Sequence, residues 1–392
     1  MPIVDNMRLL NEPSLQAMMD RKRVDLLFIC GVVNSKYLSG FFHNGGDHDG
    51  TVGARPFVVM YFRDESKDPA LLVPAVDLHL AKVSSWIADV RGYLAAELYS
   101  DLPDLIYQDV FAAASAVLRE RAANIAVIGI EEEQLTLALV EKLKAFFADR
   151  KLVDVSGEMG LVRMRKTSEE IRRIRRATEI TVKAHESFHL AARPGVTDRE
   201  LYKLAATRII AEGAEEAKFI FIGMGPTRYA ANARFLTDYK LKPGDFLRVD
   251  MGASYLGYGA DFVRSYFLGE PAKAYLDAWK HLVDVELELG HSVRVGETGG
   301  EIYARGVKMI ERYLPKFPRE FVGHGIGLVL NEQPRMSAGN LVGIEVGTVY
   351  CAELSYYLGD GIRLHIEDMF LLTDSGVEML TSDCPRELAI PI

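Results

Sequence analysis

The sequence predicts an α/β protein of two domains, and three observations support this prediction. The chain has 392 residues, which exceeds the usual size of one domain. Short apolar strands alternate with helical patterns in its first part. The later part contains two similar segments, 246–268 and 349–373, in which a glycine-containing turn joins two strands. We therefore place the domains at 1–160 and 161–392.

The first domain follows a strand–helix alternation that predicts a central sheet with helices on it. Strands are predicted at 26–31, 57–62, 70–74 and 125–130, and helices at 14–23, 76–88 and 104–122. No glycine-rich phosphate loop follows any of these strands, so we expect no nucleotide site. The loop 43–50, HNGGDHDG, offers two His and two Asp; it could bind a metal, although such loops are more often solvated turns.

The second domain begins with a long amphipathic helix, predicted from Ser168 onward. A faint repeat follows, because the segment 193–202, RPGVTDRELY, returns as 294–303, RVGETGGEIY. In both copies, Thr followed three residues later by Glu predicts a capping box that opens a helix. The two hairpins are separated by a similar interval. A duplicated helix-plus-hairpin unit explains both spacings, and it would place the hairpins across a pseudo-twofold axis.

Each strand of the two hairpins carries one carboxylate among apolar neighbours: Asp250 and Asp261 in the first, Glu353 and Glu367 in the second. A buried carboxylate is costly unless it is paired, hydrogen-bonded or bound to a metal. Between the hairpins, glycines flank His324. Any one of these residues alone could be a satisfied structural group. Together they predict a dinuclear metal site.

The composition limits which binding partners and which cellular compartment we expect for this protein. Hydrophobic residues make up 49% of the chain and charged residues 26%, as in soluble globular proteins. The net charge of −9 argues against nucleic acid and anionic membranes as partners. No apolar run is long enough to span a membrane. Three widely spaced cysteines, with Cys351 interpreted as a core residue, favour a reduced, cytoplasmic protein without disulfides.

The ordered set Asp, Asp, His, Glu, Glu, with GHGIGL around His324 and the acidic pair Glu367–Asp368, resembles the M24 family. That family includes methionine aminopeptidase, aminopeptidase P, prolidase and creatinase. The resemblance covers the second domain, and residues 1–160 resemble the creatinase-type N-terminal domain loosely. It implies a pita-bread catalytic domain. It also implies a homodimer in which one chain's N-terminal domain lines the other chain's site.

The resemblance further implies a role for each ligand: Asp261 and Glu367 bridge two ions, Asp250 holds one, and His324 and Glu353 hold the other. Oxygen ligands with a single imidazole favour Mn²⁺, Co²⁺, Fe²⁺ or Zn²⁺ over copper. Two such ions share a water and bring its pKa toward neutrality, so that a hydroxide attacks an amide-type carbon. Glu353 would accept the proton.

Other positions depart from the peptidase pattern. Asn331 stands where peptidases carry His, and counting back from Leu241 places Ala233 where they carry a second His. His365 occupies a position that is often Arg, with Arg363 two residues upstream. We interpret Glu353, His365 and Asn331 as catalytic, and Arg363, Ala233 and His324 as lining the substrate.

These departures predict a dinuclear metal hydrolase that prefers a small polar substrate over Xaa-Pro peptides. Asn cannot titrate near neutral pH as a shuttling His does, and losing a general acid costs about 10²–10⁴-fold in rate. The first alternative is an Xaa-Pro dipeptidase or aminopeptidase. Creatinase and ectoine hydrolase are precedents in the family for the main prediction. Further alternatives are a lyase such as a dimethylsulfoniopropionate lyase and a metal-binding protein without activity.

Overall fold

The computed structural model describes residues 8–42, 55–94, 106–122, 124–228, 230, 235–317, 319–358 and 361–392. The chain divides into two compact units, Met1–Arg163 and Met164–Ile392. The border at residue 160 stays a prediction. Within the described ranges, no helix has the length and apolar character needed to cross a membrane.

The N-terminal unit is built on a mixed seven-stranded sheet in the order β5-β4-β3-β2-β1-β6-β7. Its strands are Leu26–Ile29 (β1), Val58–Phe62 (β2), Ala70–Pro74 (β3), Asp89–Tyr93 (β4), Ile106–Tyr107 (β5), Val127–Ile130 (β6) and Lys151–Asp154 (β7). Its helices are Glu12–Lys22 (α1), Val32–Ser39 (α2), Leu78–Ser84 (α3), Val110–Glu120 (α4), Leu137–Phe146 (α5) and Ser156–Met164 (α6), which ends just past the unit's border. The predicted α/β organisation is confirmed.

The helix predicted over 104–122 is shorter in the structure, for a local reason. The chain first forms β5, and the Asp109 side chain then accepts a hydrogen bond from the Ala112 backbone N–H at 2.8 Å. An Asp at this position caps a helix, so α4 begins at Val110. Helix α6 was not predicted.

Among its described residues, the C-terminal unit contains two sheets and four long helices. Its helices are Ser168–Ala191 (α7), Asp198–Ala211 (α8), Lys273–Ser292 (α9) and Gly299–Ile310 (α10). The first sheet holds Glu216–Met224 (β8), Phe246–Tyr255 (β9), Tyr258–Gly259 (β10), Phe262–Leu268 (β11) and Ala389–Ile390 (β17). The second holds Phe321–Gly325 (β12), Glu332–Ser337 (β13), Val349–Leu358 (β14), Ile362–Thr373 (β15) and Gly376–Met379 (β16). Both predicted hairpins are present, as β9–β11 and β14–β15.

The predicted duplication is visible in the backbone. Thr197 and Thr298 each form a capping box with the Glu three residues later, at the starts of α8 and α10. The turn before each helix is also fixed in the same way. The Gly195 N–H donates to the Leu241 carbonyl at 2.8 Å, and the Gly296 N–H donates to the Ile344 carbonyl at 2.8 Å.

Strand alternation decides which side chains face the space between the sheets. In β9, Leu247 and Val249 belong to the apolar core with α7 and α8, so Arg248 and Asp250 point to the opposite face. The same alternation applies in the second sheet. Core residues of β14 and β15 pack with α9 and α10, and the intervening residues Glu353, Ser355, Arg363, His365 and Glu367 share the inner face.

Candidate metal centre

The five predicted metal ligands lie together, and all five are buried. Asp250 is on β9, Asp261 directly precedes β11, His324 is on β12, Glu353 is on β14 and Glu367 is on β15. Glu353 and Glu367 are directly opposite each other in the β14–β15 ladder. The two hairpins therefore present their carboxylates to one shared space.

The predicted ligands lie within a few ångströms of one another, with His324 and Glu367 at the centre of the group. His324 Nε2 lies 3.4 Å from Glu367 Oε1, 3.9 Å from Asp261 Oδ2 and 3.9 Å from Glu353 Oε2. One carboxylate oxygen from each of Asp250, Asp261 and Glu367 lies within 4.8 Å of the other two. This spacing allows several of these atoms to bind the same ion.

The acids are crowded enough to disfavour simultaneous ionisation. Burial, then the neighbouring Glu367 carboxylate, raises the pKa of Asp261 well above its usual range. Burial, followed by Glu353 and Asp250, does the same to the pKa of Glu367. Burial raises the pKa of Asp250 to about 6. Bound cations would relieve this repulsion.

The residues present fit divalent metal ions. Asp250 Oδ1 and Glu367 Oε1 are buried and accept no hydrogen bond from the described residues. A buried acceptor without a partner is costly, so each atom needs a ligand. The donor set of carboxylate oxygens with one imidazole is typical of the divalent ions from manganese to zinc.

Three arginines border the carboxylates. Arg248 is fully buried, and its Nη1 lies 3.4 Å from Asp250 Oδ2. Arg319, in the segment before β12, donates to Glu353 Oε1. Arg363 donates to the Ser355 hydroxyl at 3.3 Å. The site therefore combines a carboxylate cluster with an adjacent cationic cluster.

His365 connects these two clusters. Its Nδ1 lies 3.2 Å from Arg248 Nη1, and its Nε2 lies 2.8 Å from Glu353 Oε1. Nε2 also lies 3.3 Å from Arg319 Nη1. A guanidinium can only donate and a carboxylate can only accept, so these two neighbours require opposite roles of Nε2. The shorter contact, to Glu353, places the hydrogen on Nε2, and Nδ1 then accepts from Arg248. Burial and then Arg363 hold the pKa of His365 well below its usual range, so the ring is neutral. The contacts to Glu353 and Arg248 together favour the tautomer with the hydrogen on Nε2.

Comparison with protein families agrees with this geometry. The sequence model of metallopeptidase family M24 matches residues 172–374, and that of the creatinase/prolidase N-terminal domain matches residues 13–165. The chain belongs to metallopeptidase family M24. The expected fold, a creatinase-type N-terminal domain followed by a pita-bread catalytic domain, is confirmed, as is the prediction of an M24-family metal-dependent hydrolase.

Named relatives span almost the whole chain. The Xaa-Pro dipeptidase of Lactobacillus delbrueckii subsp. lactis is 24% identical over 98% of this chain and 100% of its own length. That of Pyrococcus furiosus is 25% identical, covering 94% and 97%. These names favour the alternative prediction, an Xaa-Pro dipeptidase, over the main prediction of a small polar substrate.

Solved structures show the same fold. The Xaa-Pro dipeptidase from Bacillus anthracis superposes with a TM-score of 0.81, at 21% identity, and covers 97% of this chain and 98% of its own. The X-Pro aminopeptidase from Thermotoga maritima has a TM-score of 0.79, at 23% identity, and covers 97% and 99%.

Of the predicted site residues that the structure describes, Asn331 is not brought to the metal ligands. Asn331 is exposed, and among the described residues no hydrogen bond or ion pair joins its side chain to the site. Its catalytic role stays a prediction. Ala233 and the loop 43–50 lie outside the described residues. The homodimer likewise stays a prediction.

Sequence reasoning missed Arg248 and Arg319. Arg248 had a usable signal, because an Arg two residues before Asp250 in an apolar strand must share its face. No comparable pattern marks Arg319. Cys351 is a buried free thiol whose pKa is raised by burial and by Glu367, which agrees with its interpretation as a core residue.

Proposed function

We propose that this M24 protein hydrolyses the amide bond of a small substrate, and that Xaa-Pro dipeptides are the first substrate class to test. The clustering of four buried carboxylates and His324 is the observation that carries this proposal: three of them lie near His324, and Asp250 lies near Asp261 and Glu367. The dipeptide class is supported by the names of the relatives.

We assign the ligands as the resemblance to the family implies: Asp261 and Glu367 would be shared by two divalent ions, Asp250 would hold one of them, and His324 and Glu353 would hold the other. When bound, such a pair of ions lowers the pKa of a shared water and stabilises developing negative charge on the substrate. The element remains one of manganese, cobalt, iron or zinc.

Glu353 is the proposed proton acceptor. Burial alone would raise the pKa of Glu353, but Arg319 and His365 hold it below its usual range, so it is ionised at neutral pH. Its Oε1 is fixed by His365 and Arg319, whereas Oε2 is the oxygen nearer His324. These two contacts orient the carboxylate and leave Oε2 as the oxygen for proton uptake.

A compact non-peptide amide is the second candidate, and the sequence prediction at Asn331 is the reason to test it. In the peptidase pattern a titrating His stands at this position, and Asn cannot donate a proton in its place; Asn331 itself is exposed. Protonation of the leaving group would then depend on the substrate or on His365.

Metal analysis combined with hydrolysis tests both parts of the proposal. Protein equilibrated with Mn²⁺, Co²⁺, Fe²⁺ or Zn²⁺ should hold two ions per chain by elemental analysis. Asp261→Ala should lose at least one, whereas the exposed control Asp383→Ala should keep both. Full metal content in Asp261→Ala would contradict the ligand assignment.

Hydrolysis is measured next on Xaa-Pro dipeptides, other dipeptides and N-acylated amino acids. A chelator should abolish turnover, and added metal should restore it. Turnover of Xaa-Pro dipeptides above all others would establish the first candidate. Turnover of N-acylated amino acids with little dipeptide cleavage would establish the second. No metal-dependent turnover of any amide would refute the proposal.

A further inference from the structure

Helix α7 contains the sequence His-Glu-Ser-Phe-His at residues 185–189, which the function proposed above does not use. Residues four positions apart lie on the same face of a helix, with Cβ atoms about 5–6 Å apart. Two histidines at this spacing, with Glu directly after the first, form the zinc-binding pattern of one class of metalloproteases. A match of three residues also arises by chance, so the surroundings of the two rings must show whether they can hold a metal ion.

His185 has two ring nitrogens that need partners. The residue is 1% exposed, and neither nitrogen forms a hydrogen bond with a residue that the structure describes. The ring stacks on Phe262, with centroids 4.5 Å apart and 21° between the planes. Stacking uses the faces of the ring, so the nitrogens at its edge are still available. A buried polar atom without a partner is costly, so this side chain needs a ligand.

His189 lies one turn further along the same face of α7. Its Nδ1 is buried and likewise has no hydrogen-bond partner among the described residues. Both histidines and Glu186 line one pocket of about 220 Å³, whose other lining residues are Leu190, Tyr266 and Pro385. None of the five proposed ligands of the carboxylate centre lines this pocket. The unpartnered nitrogens therefore belong to a second site.

Both imidazoles are neutral at neutral pH, which is the form that binds metal ions. Burial and then Arg264 hold the pKa of His185 well below its usual range, while the Phe262 backbone acts in the opposite direction. Burial lowers the pKa of His189, and the nearby Glu387 opposes this effect. Each ring therefore keeps a nitrogen lone pair for a ligand.

We propose that His185 and His189 bind a Zn²⁺ ion in this pocket. Zinc binds imidazole nitrogens at about 2.0–2.1 Å, and water would complete its tetrahedral shell. Two nitrogen ligands favour zinc over manganese. Among the described residues, each group of three candidate ligands within 4.8 Å of one another belongs to the carboxylate centre. The zinc site therefore has no third protein ligand in place, and we assign it no hydrolytic role.

Equilibrium dialysis of the full chain against micromolar Zn²⁺, followed by elemental analysis, tests this proposal. His189→Gln should hold about one zinc ion fewer than the wild-type chain, because one of two ligands is lost. His185→Phe should show the same loss while keeping a ring against Phe262. His79→Gln is the matched control, since it removes an exposed imidazole, and it should keep the wild-type zinc content. Dialysis against Mn²⁺ should show no difference between these proteins.

The measured quantity is a difference between variants, so it does not depend on how many ions the carboxylate centre holds. In an Asp261→Ala background, the effect of His189→Gln should persist although that centre has lost metal. If Asp261→Ala keeps its full metal content while His189→Gln loses zinc, the ligand assignment of the proposed function fails and the present inference stands.

Equal zinc content in the wild-type chain and His189→Gln would overturn the inference, because the pocket would then hold water only. An equal loss in His79→Gln would overturn it as well, since zinc would then bind exposed imidazoles without selectivity. His189 is half-buried, so its variant decides the matter even if His185→Phe does not fold. Anomalous scattering from crystals grown with Zn²⁺ should show a peak between the two rings, and peaks confined to the carboxylate centre would refute the proposal.

Discussion

Glu170 is a buried acid at the start of α7, and replacing it with glutamine should change how stability depends on pH. The residue is 1% exposed. Its Oε2 accepts from the Thr167 N–H at 2.8 Å in a capping box, and its Oε1 accepts from the Tyr258 hydroxyl at 3.1 Å. Burial raises the pKa of Glu170 from 4.5 to about 7. Glutamine also forms capping boxes, so Glu170→Gln removes the charge while keeping the cap.

The expected effect follows from the two pKa values. At pH values below 4.5 the carboxyl is protonated in both the folded and unfolded states, and its contribution to stability is fully present. As the pH rises toward and through 7, the unfolded chain ionises first, and this contribution is lost. The difference between pKa values of 4.5 and about 7 corresponds to about 3 kcal/mol in the free energy of unfolding. The wild-type chain should therefore lose about that much stability relative to Glu170→Gln between pH 4.5 and pH 8.

Urea unfolding of metal-free protein measures this difference at a series of pH values. The chain has two tryptophans. A Trp86→Phe background leaves Trp279, which is buried in the C-terminal unit, as the fluorescence reporter. The fluorescence of Trp279 then reports the unfolding of the unit that contains Glu170, separately from the unfolding of the N-terminal unit.

Glu200→Gln is the matched control. Glu200 occupies the same capping-box position in α8, but it is exposed, and hydrogen bonds from Thr197 lower its pKa. Wild-type stability relative to this variant should therefore rise with pH instead of falling. A flat profile for Glu170→Gln, or one that rises as the control does, would refute the reasoning.

Two further substitutions test the site and its support. Glu353→Gln should lower kcat by about 10²–10⁴-fold, because a proton acceptor is lost; the steady-state rate on the best substrate measures this, and an unchanged rate would remove Glu353 from the chemistry. Arg264→Met should lower the free energy of unfolding by about 3–5 kcal/mol, because it removes the fully buried one of the two ion-pair partners of the buried Asp368. Urea unfolding measures this loss, and a change below about 1 kcal/mol would show that Arg386 alone compensates Asp368.

The carboxylates could be predicted because strand alternation is a local property. Leu247, Val249 and Asp250 already show in the sequence which side chains of β9 share a face, and the structure keeps that alternation. The capping boxes at Thr197 and Thr298 are likewise decided by residues three positions apart. Such signals need no knowledge of distant contacts.

The surroundings of the carboxylates depend on contacts that no local pattern contains. Arg319 reaches Glu353 across the sheet, from a segment without regular structure. Asn331 was assigned by counting from His324, but the β12–β13 ladder shifts register next to His324, so a count along the chain does not determine where a later side chain points. Asn331 is exposed.

The reverse side of β15 explains how Asp261 and Glu367, whose carboxylates repel each other, are kept together. Asp368 follows Glu367 and therefore points away from the metal ligands. Arg264, from the first hairpin, donates to Asp368 Oδ1 at 2.6 Å and to the Glu367 carbonyl at 2.9 Å. This buried pair ties the hairpin of Asp261 to that of Glu367 on the side away from the ligands. Their carboxylates cannot separate without breaking it, so the repulsion between them remains for bound cations to relieve.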